Sequence, residues 1–112
     1  MSARIPPLAI TAFTAACAAG QGRAALASAL IERRSGLRPN DFTRAALPCW
    51  IGRVEGLESQ PLPEAWARYD TRNHRLAWLG LAQDDFLERV RALRARYGAP
   101  RIALVVGTST AS

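Results

Sequence analysis

Residues 101–112 read RIALVVGTSTAS, an apolar run that enters a turn of small residues. The apolar side chains of residues 102–106 fall on both faces of an extended chain, which is typical of a parallel strand covered by helices on both sides. In open α/β sheets, the loops at the carboxyl ends of such strands line the ligand crevice. We therefore expect the turn formed by Gly107, Thr108, Ser109 and Thr110 to approach a ligand site, and we interpret the chain as the opening segment of a larger α/β fold.

The length and composition fit one compact domain. A chain of 112 residues with 49% hydrophobic residues has enough apolar material for one core and too little for two. The net charge of +6 rests on fifteen arginines, with no lysine, spread from Arg4 to Arg101. Nucleic-acid-binding proteins gather basic side chains into a stripe with aromatic residues between them. Because the sequence shows no such cluster, we predict a single domain over residues 1–112 that does not bind nucleic acid.

The cysteines and the N-terminal apolar stretch bear on the cellular compartment. Cys17 and Cys49 have no CxxC spacing, and the single histidine leaves too few ligands for a zinc site. Two unpaired thiols fit a reducing cytoplasm. The apolar stretch at residues 8–19 is shorter than the ~20 residues that span a bilayer, so we predict a cytoplasmic chain with no membrane span. Export, with cleavage near Ala16 or Ala19 or lipoprotein-type processing at Cys17, is the alternative.

Strand and helix patterns alternate along the chain. Strands are predicted at residues 8–13, 49–54 and 102–106, helices at residues 23–34 and 73–97, and a helical turn at residues 64–69. We expect Gly36 and Gly98 to end the two helices. Asp70, Thr71 and Asn73 are the candidate N-caps of the long helix. This order predicts a layered βαβ(α)β fold with a mostly parallel sheet and right-handed crossovers.

The long predicted helix carries an amphipathic stripe. Apolar residues recur at helical spacing at Leu76, Leu79, Phe86, Val90, Leu93 and Tyr97. We expect this stripe to pack in the core. On the opposite side, Glu88 and Arg91 are spaced to form an ion pair on the solvated surface.

Three features invite a catalytic or cofactor-binding interpretation, and each is weak. His74 begins the long helix with no Ser or Cys nucleophile beside it, so we predict a surface or capping role. Cys17 lies several residues before the first helix and Cys49 enters a strand, so neither thiol is activated by a helix N-terminus. The GQG stretch at residues 20–22 resembles the start of a dinucleotide-binding loop but lacks the third glycine. We therefore assign no catalytic, metal-binding or cofactor-binding residue.

Taken together in order and spacing, four segments resemble the opening of a β-ketoacyl-acyl carrier protein synthase, a family with the thiolase-like fold. They are ITAF at residues 10–13 leading to GQG at residues 20–22, RRSGL at residues 33–37, DTRNHR at residues 70–75, and the final strand with GTST at residues 107–110. The resemblance covers essentially all 112 residues. We therefore expect the chain to be the first part of the N-terminal domain of such a synthase.

The resemblance implies a decarboxylating Claisen condensation, an acyltransferase reaction of fatty acid or polyene-type biosynthesis. In this family an active-site cysteine at a helix N-terminus receives the acyl group, and two histidines assist the attack of a decarboxylated malonyl unit. None of these three residues matches a position here, so Cys17, Cys49 and His74 inherit no catalytic role. The turn from Gly107 to Thr110 matches one that approaches the family's active site.

The resemblance also implies partners. The substrates of the family are carried on the phosphopantetheine of an acyl carrier protein, so we expect no resident cofactor in this chain. We expect an inactive segment that needs a homodimer or a missing C-terminal half. The alternative is a small basic α/β module that binds an acidic partner, such as an acyl carrier protein, through scattered arginines.

Overall fold

The computed structural model describes residues 6–41 and 47–108, which form short strands and helices. In chain order these are β1 (Ala16–Cys17), β2 (Gly20–Gln21), α1 (Arg23–Ile31), β3 (Leu37–Pro39), β4 (Trp50–Gly52), α2 (Arg72–Leu81) and α3 (Phe86–Tyr97). A 3-10 helix, Glu64–Tyr69, precedes α2, and a second one, Ala99–Arg101, follows α3. The predicted mixed α/β class and the predicted helical turn at residues 64–69 are confirmed.

Each sheet is an antiparallel pair of short strands. β1 pairs with β2, with Cys17 opposite Gly20. β3 pairs with β4, with Arg38 opposite Ile51, and β4 confirms the strand predicted at residues 49–54. A parallel pair needs a crossover of about a dozen residues or more, and the connection within each pair is shorter than that. The mostly parallel sheet that the sequence predicts is not present among the described residues.

The two strands predicted at the ends of the chain are segments without regular secondary structure and without a sheet partner in the described structure. Residues 8–13 and 102–106 belong to no strand, although both are apolar. Ile10 is 87% exposed and Val105 is 91% exposed. Neither segment forms the predicted buried central strand among the described residues, because a central strand needs hydrogen-bonding neighbours on both sides and no described strand pairs with them.

The predicted long helix at residues 73–97 is two helices, α2 and α3. The chain leaves the helical path between them, where Asp84 and Asp85 take positive φ angles of 58° and 54°. Aspartate is one of the few residues other than glycine that adopts this left-handed region with modest strain. The end of α3 is as predicted, since Gly98 has a φ of 77° and its N–H bonds to the carbonyl of Arg94.

Helix α1 confirms the helix predicted at residues 23–34, although it ends earlier, at Ile31. The left-handed residue after it is Arg33, with a φ of 54°, and the prediction that Gly36 takes this conformation was wrong. Gly36 is required for a different reason. A Cβ added to Gly36 would lie 2.4 Å from the backbone carbon of Ala18, so only glycine allows the β1–β2 turn to approach this closely.

The core is small and lies between α2 and the loop that follows β4. Val54, Leu57 and Leu79 form its buried cluster, with Ala16 and Leu76 packed against them. Leu76 and Leu79 confirm part of the predicted apolar stripe. Elsewhere Ala29 of α1 and Phe86 of α3 are buried as well. Helix α2 therefore holds together the hairpin β1–β2, which contributes Ala16, and the loop that follows β4, which contributes Val54 and Leu57.

Candidate functional site

The predicted loop at the end of the chain is only partly described. Gly107 and Thr108 are exposed and outside any strand or helix, while Ser109 and Thr110 lie outside the described residues. A Cβ added to Gly107 would meet nothing within 4 Å. The described structure thus brings no second chemical group against Gly107, and the proximity of this loop to an active site stays a prediction.

His74 lies in the first turn of α2, where it contacts the residues that begin the helix. Thr71 is the N-cap of α2, and its Oγ1 accepts a hydrogen bond from the His74 backbone N–H at 3.3 Å. The imidazole Nδ1 lies 2.6 Å from the carbonyl oxygen of Tyr69 and 3.0 Å from Thr71 Oγ1. These contacts agree with the predicted capping position and select Thr71 among the three candidate N-caps.

The contact with Tyr69 fixes the tautomer of this histidine. A carbonyl oxygen only accepts hydrogen bonds, so Nδ1 of His74 must carry the proton that points at Tyr69. In the neutral imidazole, Nε2 is then an acceptor. Nε2 has no hydrogen-bond partner among the residues that the structure describes.

His74 borders an open groove between α2 and the 3-10 helix that precedes it, which we call the aromatic groove. It has a volume of about 260 Å³ and is lined by Leu62, Trp66, Tyr69, His74, Ala77, Trp78 and Leu81. Four of these residues lie at positions i, i+3, i+4 and i+7 of α2, so they share one helix face. This face is distinct from the one that carries Leu76 and Leu79 into the core.

The aromatic groove was not predicted from the sequence, because the helix expected at residues 73–97 was assigned a single apolar stripe. The signal was present: His74, Ala77, Trp78 and Leu81 have the spacing of a second helical stripe. What the sequence could not supply was the opposite wall, which depends on how the preceding 3-10 helix folds back on α2.

An ion pair between Asp70 and Arg75 joins the segment that forms the opposite wall of the aromatic groove to α2. Arg75 donates from Nε to Asp70 Oδ1 and from Nη2 to Asp70 Oδ2, both at 2.6 Å, in a bidentate arrangement. The remaining Nη1 of Arg75 donates to the carbonyl oxygens of Leu57 and Glu58 at 3.1 and 3.2 Å. Asp70 also accepts from the backbone N–H of Leu62 at 3.3 Å. Arg75 thus joins α2 to the loop that follows β4 and, through Asp70, to Leu62 of the aromatic groove.

The same ion pair sets the charge state of Asp70. Hydrogen bonds from Arg75 hold the pKa of Asp70 below its ordinary value of 3.8, although partial burial acts in the opposite direction. The pKa of Arg75 is raised by the same hydrogen bonds. Both groups are therefore charged across the physiological pH range.

A second polar network occupies the N-terminus of α1. Asp84 accepts hydrogen bonds from the Arg23 backbone N–H at 2.9 Å and from Thr14 Oγ1 at 2.8 Å. Partial burial raises the pKa of Asp84, but hydrogen bonds from Arg23 and Thr14 and the charge of Arg23 outweigh it, so the pKa is lowered overall. A Cβ on Gly22 would lie 3.3 Å from Asp84 Oδ1.

This network argues against a dinucleotide-binding loop at residues 20–22. In such a loop, the pyrophosphate lies at the helix N-terminus and uses its free N–H groups. Here the carboxylate of Asp84 takes the position that a phosphate would occupy beside Gly22 and Arg23. The N-terminus of α1 is thus occupied by a carboxylate of the chain itself.

The remaining candidate groups, the two cysteines and possible metal ligands, form no common site in the described part of the chain. Cys17 and Cys49 are both exposed free thiols. Among the described residues there is no group of three or more potential metal ligands. In that same part of the chain, no helix has both the length and the apolar character needed to cross a membrane.

The arginines are less scattered in the structure than in the sequence. Those between residues 23 and 75 mostly form ion pairs, for example Arg38 with Glu55 at 2.9 Å and Arg72 with Glu58 at 3.0 Å. On α3, the predicted pair between Glu88 and Arg91 is confirmed at 2.7 Å. Six described arginines form no ion pair with a described residue: Arg33, Arg68 and four that lie on or directly after α3, namely Arg89, Arg94, Arg96 and Arg101.

Comparison with protein-family models, with curated proteins and with solved structures finds no match for this chain. The assignment of a function therefore depends on the residues and geometry described above.

Proposed function

We propose that this chain is the opening part of the N-terminal domain of a β-ketoacyl-acyl carrier protein synthase, an acyltransferase of the cytoplasm. The order and spacing of the four sequence segments that resemble this family support the proposal. The proposal also covers the finer fold: in the complete domain, the end segments would join a layered, mostly parallel sheet.

The observation that carries the proposal is the exposure of two apolar segments, residues 8–13 and 104–106. Their large side chains face solvent, and no strand pairs with either segment in the described structure. Apolar segments of this kind are stabilised by adding to a sheet that covers their side chains and pairs their backbone groups. The resemblance assigns both segments to strands of the synthase sheet, where further strands would cover them.

In the complete enzyme, the chemistry would come from a cysteine and two histidines outside this chain. The cysteine thiolate takes the acyl group from its carrier thioester. Malonyl-carrier protein then loses CO₂, and the resulting carbanion attacks the acyl carbonyl. The thiolate leaves, and a 3-ketoacyl carrier protein is released. This chain would contribute sheet strands and the turn of Gly107, Thr108, Ser109 and Thr110 beside the reacting groups.

Complementation tests this proposal. The chain is mixed with a synthase polypeptide that carries the nucleophilic cysteine and both histidines but lacks its own opening segment. We expect 3-ketoacyl carrier protein, detected by mass spectrometry, from the mixture and from neither part alone. Condensation by the 112-residue chain alone, or a stable complex that makes no product, would contradict the proposal.

Two matched variants locate the contact. Val105→Asp places a charge in the exposed apolar segment, and Ala95→Asp places the same charge on the exposed surface of α3. If residues 104–106 enter the sheet, the first variant abolishes complementation, because a buried unpaired charge costs several kcal/mol, and the second retains it. Equal activity of the two variants would argue against sheet entry.

A second candidate function is a binding module for an acidic partner such as an acyl carrier protein. The observation that favours it is the set of arginines on and after α3 that lack ion pairs with described residues. Guanidinium groups bind carboxylates in bidentate geometry, and a cluster of them attracts an acidic surface at long range.

Binding of an acidic carrier protein, measured by fluorescence anisotropy at two salt concentrations, tests this second candidate. Arg89 and Arg96, seven residues apart, lie on one face of α3. Arg89→Glu with Arg96→Glu should weaken binding about tenfold or more, and added salt should weaken the wild-type complex. Arg33→Glu with Arg68→Glu changes the net charge equally at sites away from α3. Equal losses in the two double variants would mean that only net charge matters, which would contradict a docking surface on α3.

A further inference from the structure

We propose that the aromatic groove binds a small planar aromatic molecule that carries one hydrogen-bond donor, such as a phenol. This inference does not depend on the proposed function, because it rests on the lining and hydrogen bonds of the aromatic groove, whereas the synthase proposal uses residues 70–75 only as a sequence segment. It follows from the lining of the groove, its size, the acceptor at Nε2 of His74 and the hydrogen bonds that join the walls.

The lining and the size set the shape of the ligand. Trp66, Tyr69 and Trp78 provide three aromatic rings, and the other apolar lining residues are short aliphatic side chains. Aromatic side chains favour planar ligands through offset-stacked or edge-to-face contacts. A volume of about 260 Å³ is just below the lower end of typical ligand sites, so the groove fits a molecule of one or two rings.

The polar group of the groove sets the chemistry of the ligand. Because Nδ1 of His74 donates to the Tyr69 carbonyl, Nε2 of the neutral ring is an acceptor without a partner in the described structure. A ligand that brings an O–H or N–H donor satisfies this acceptor. A purely apolar ligand of the same shape would fill the groove and leave Nε2 without a hydrogen bond.

The walls are held before a ligand arrives. The Asp70–Arg75 pair ties the segment at Leu62 to α2, and the hydrogen bond from His74 to Tyr69 ties the 3-10 helix to the same helix. A site whose side chains are already ordered loses less conformational entropy on binding. The aromatic groove is therefore formed in the absence of a ligand, which lowers the entropic cost of binding one.

The tryptophans provide the measurement. The chain has three tryptophans, of which Trp66 and Trp78 line the groove and Trp50 lies on β4. In ¹H–¹⁵N correlation spectra, addition of 4-ethylphenol should shift the indole signals of Trp66 and Trp78 in a saturable manner. The Trp50 signal should stay in place. Shifts of all three signals together, or of none, would overturn the proposal.

Ethylbenzene and an asparagine variant test the hydrogen bond. One neutral hydrogen bond is worth about 0.5–1.5 kcal/mol, so 4-ethylphenol should bind about threefold to tenfold tighter than ethylbenzene. In His74→Asn, the side-chain amide can replace the Nδ1 donor to Tyr69, but the Nε2 acceptor is gone. The preference for the phenol should then disappear. A preference that persists in His74→Asn, or equal binding of both ligands by the wild type, would refute the role of Nε2.

Discussion

Leu57→Ala is the perturbation that most directly tests the small core. Leu57 is 1% exposed and forms the centre of the cluster with Val54 and Leu79. The substitution removes three carbon groups, each worth about 0.8 kcal/mol of burial, and leaves a cavity that adds to the loss. We therefore expect a decrease of about 3 kcal/mol in the free energy of unfolding. Since domains of this size have about 0.05–0.15 kcal/mol of stability per residue, this loss is a large fraction of the total.

The assay is urea denaturation followed by far-ultraviolet circular dichroism, with a thermal melt on the same samples. The expected loss corresponds to a decrease in Tm of more than about 10 °C. Leu8→Ala is the matched control, because Leu8 is 85% exposed and should change stability by less than about 0.5 kcal/mol. A Leu57→Ala protein within 0.5 kcal/mol of the wild type, or a larger effect at Leu8, would refute the placement of the core.

Three further predictions concern single contacts. Thr71→Ala should destabilise the fold by about 1 kcal/mol through loss of the α2 N-cap, as measured by urea denaturation, whereas Thr71→Ser should restore it. Because the pKa of Asp70 is lowered, its ion pair stabilises the fold above pH 3.8 and this stabilisation is lost as the pH falls through the lowered value. Asp70→Asn should remove that part of the acid dependence, and an unchanged pH profile would contradict the assignment. Gly36→Ala should destabilise the chain by about 1–3 kcal/mol through its clash with Ala18, while Gly107→Ala should be neutral in the same thermal melt.

The sequence predicted those elements whose signals are local. Helix α1, the end of α3 at Gly98 and the N-cap position of α2 depend on residues within one or two helical turns of each other, and all three are confirmed. The strand at β4 was also located, but its direction relative to its neighbour was not. Pairing direction depends on which other segments are available, and sequence patterns contain little information on that.

The predictions that failed depend on contacts between distant residues. Apolar periodicity continues from α2 into α3, so the sequence favours one helix through residues 82–85. The structure breaks this helix because Asp84 bonds to Thr14 and Arg23, which lie 70 and 61 positions away in the chain. A tertiary contact of this kind overrides helix propensity, which is worth less than 1 kcal/mol per residue for ordinary amino acids.

The position of Asp84 connects the break between α2 and α3 with the start of α1. The first N–H groups of a helix have no partner within the helix, and Gly22 provides no side chain that could cap Arg23. Asp84 supplies the missing acceptor only if the chain turns away from α2 with a left-handed φ, which is what the structure shows at 58°. The cost of that conformation is offset by the charge-assisted hydrogen bonds to α1. Helix α2 thus ends where it does because α1 begins beside it, and that end fixes the length of the helix face that forms the aromatic groove.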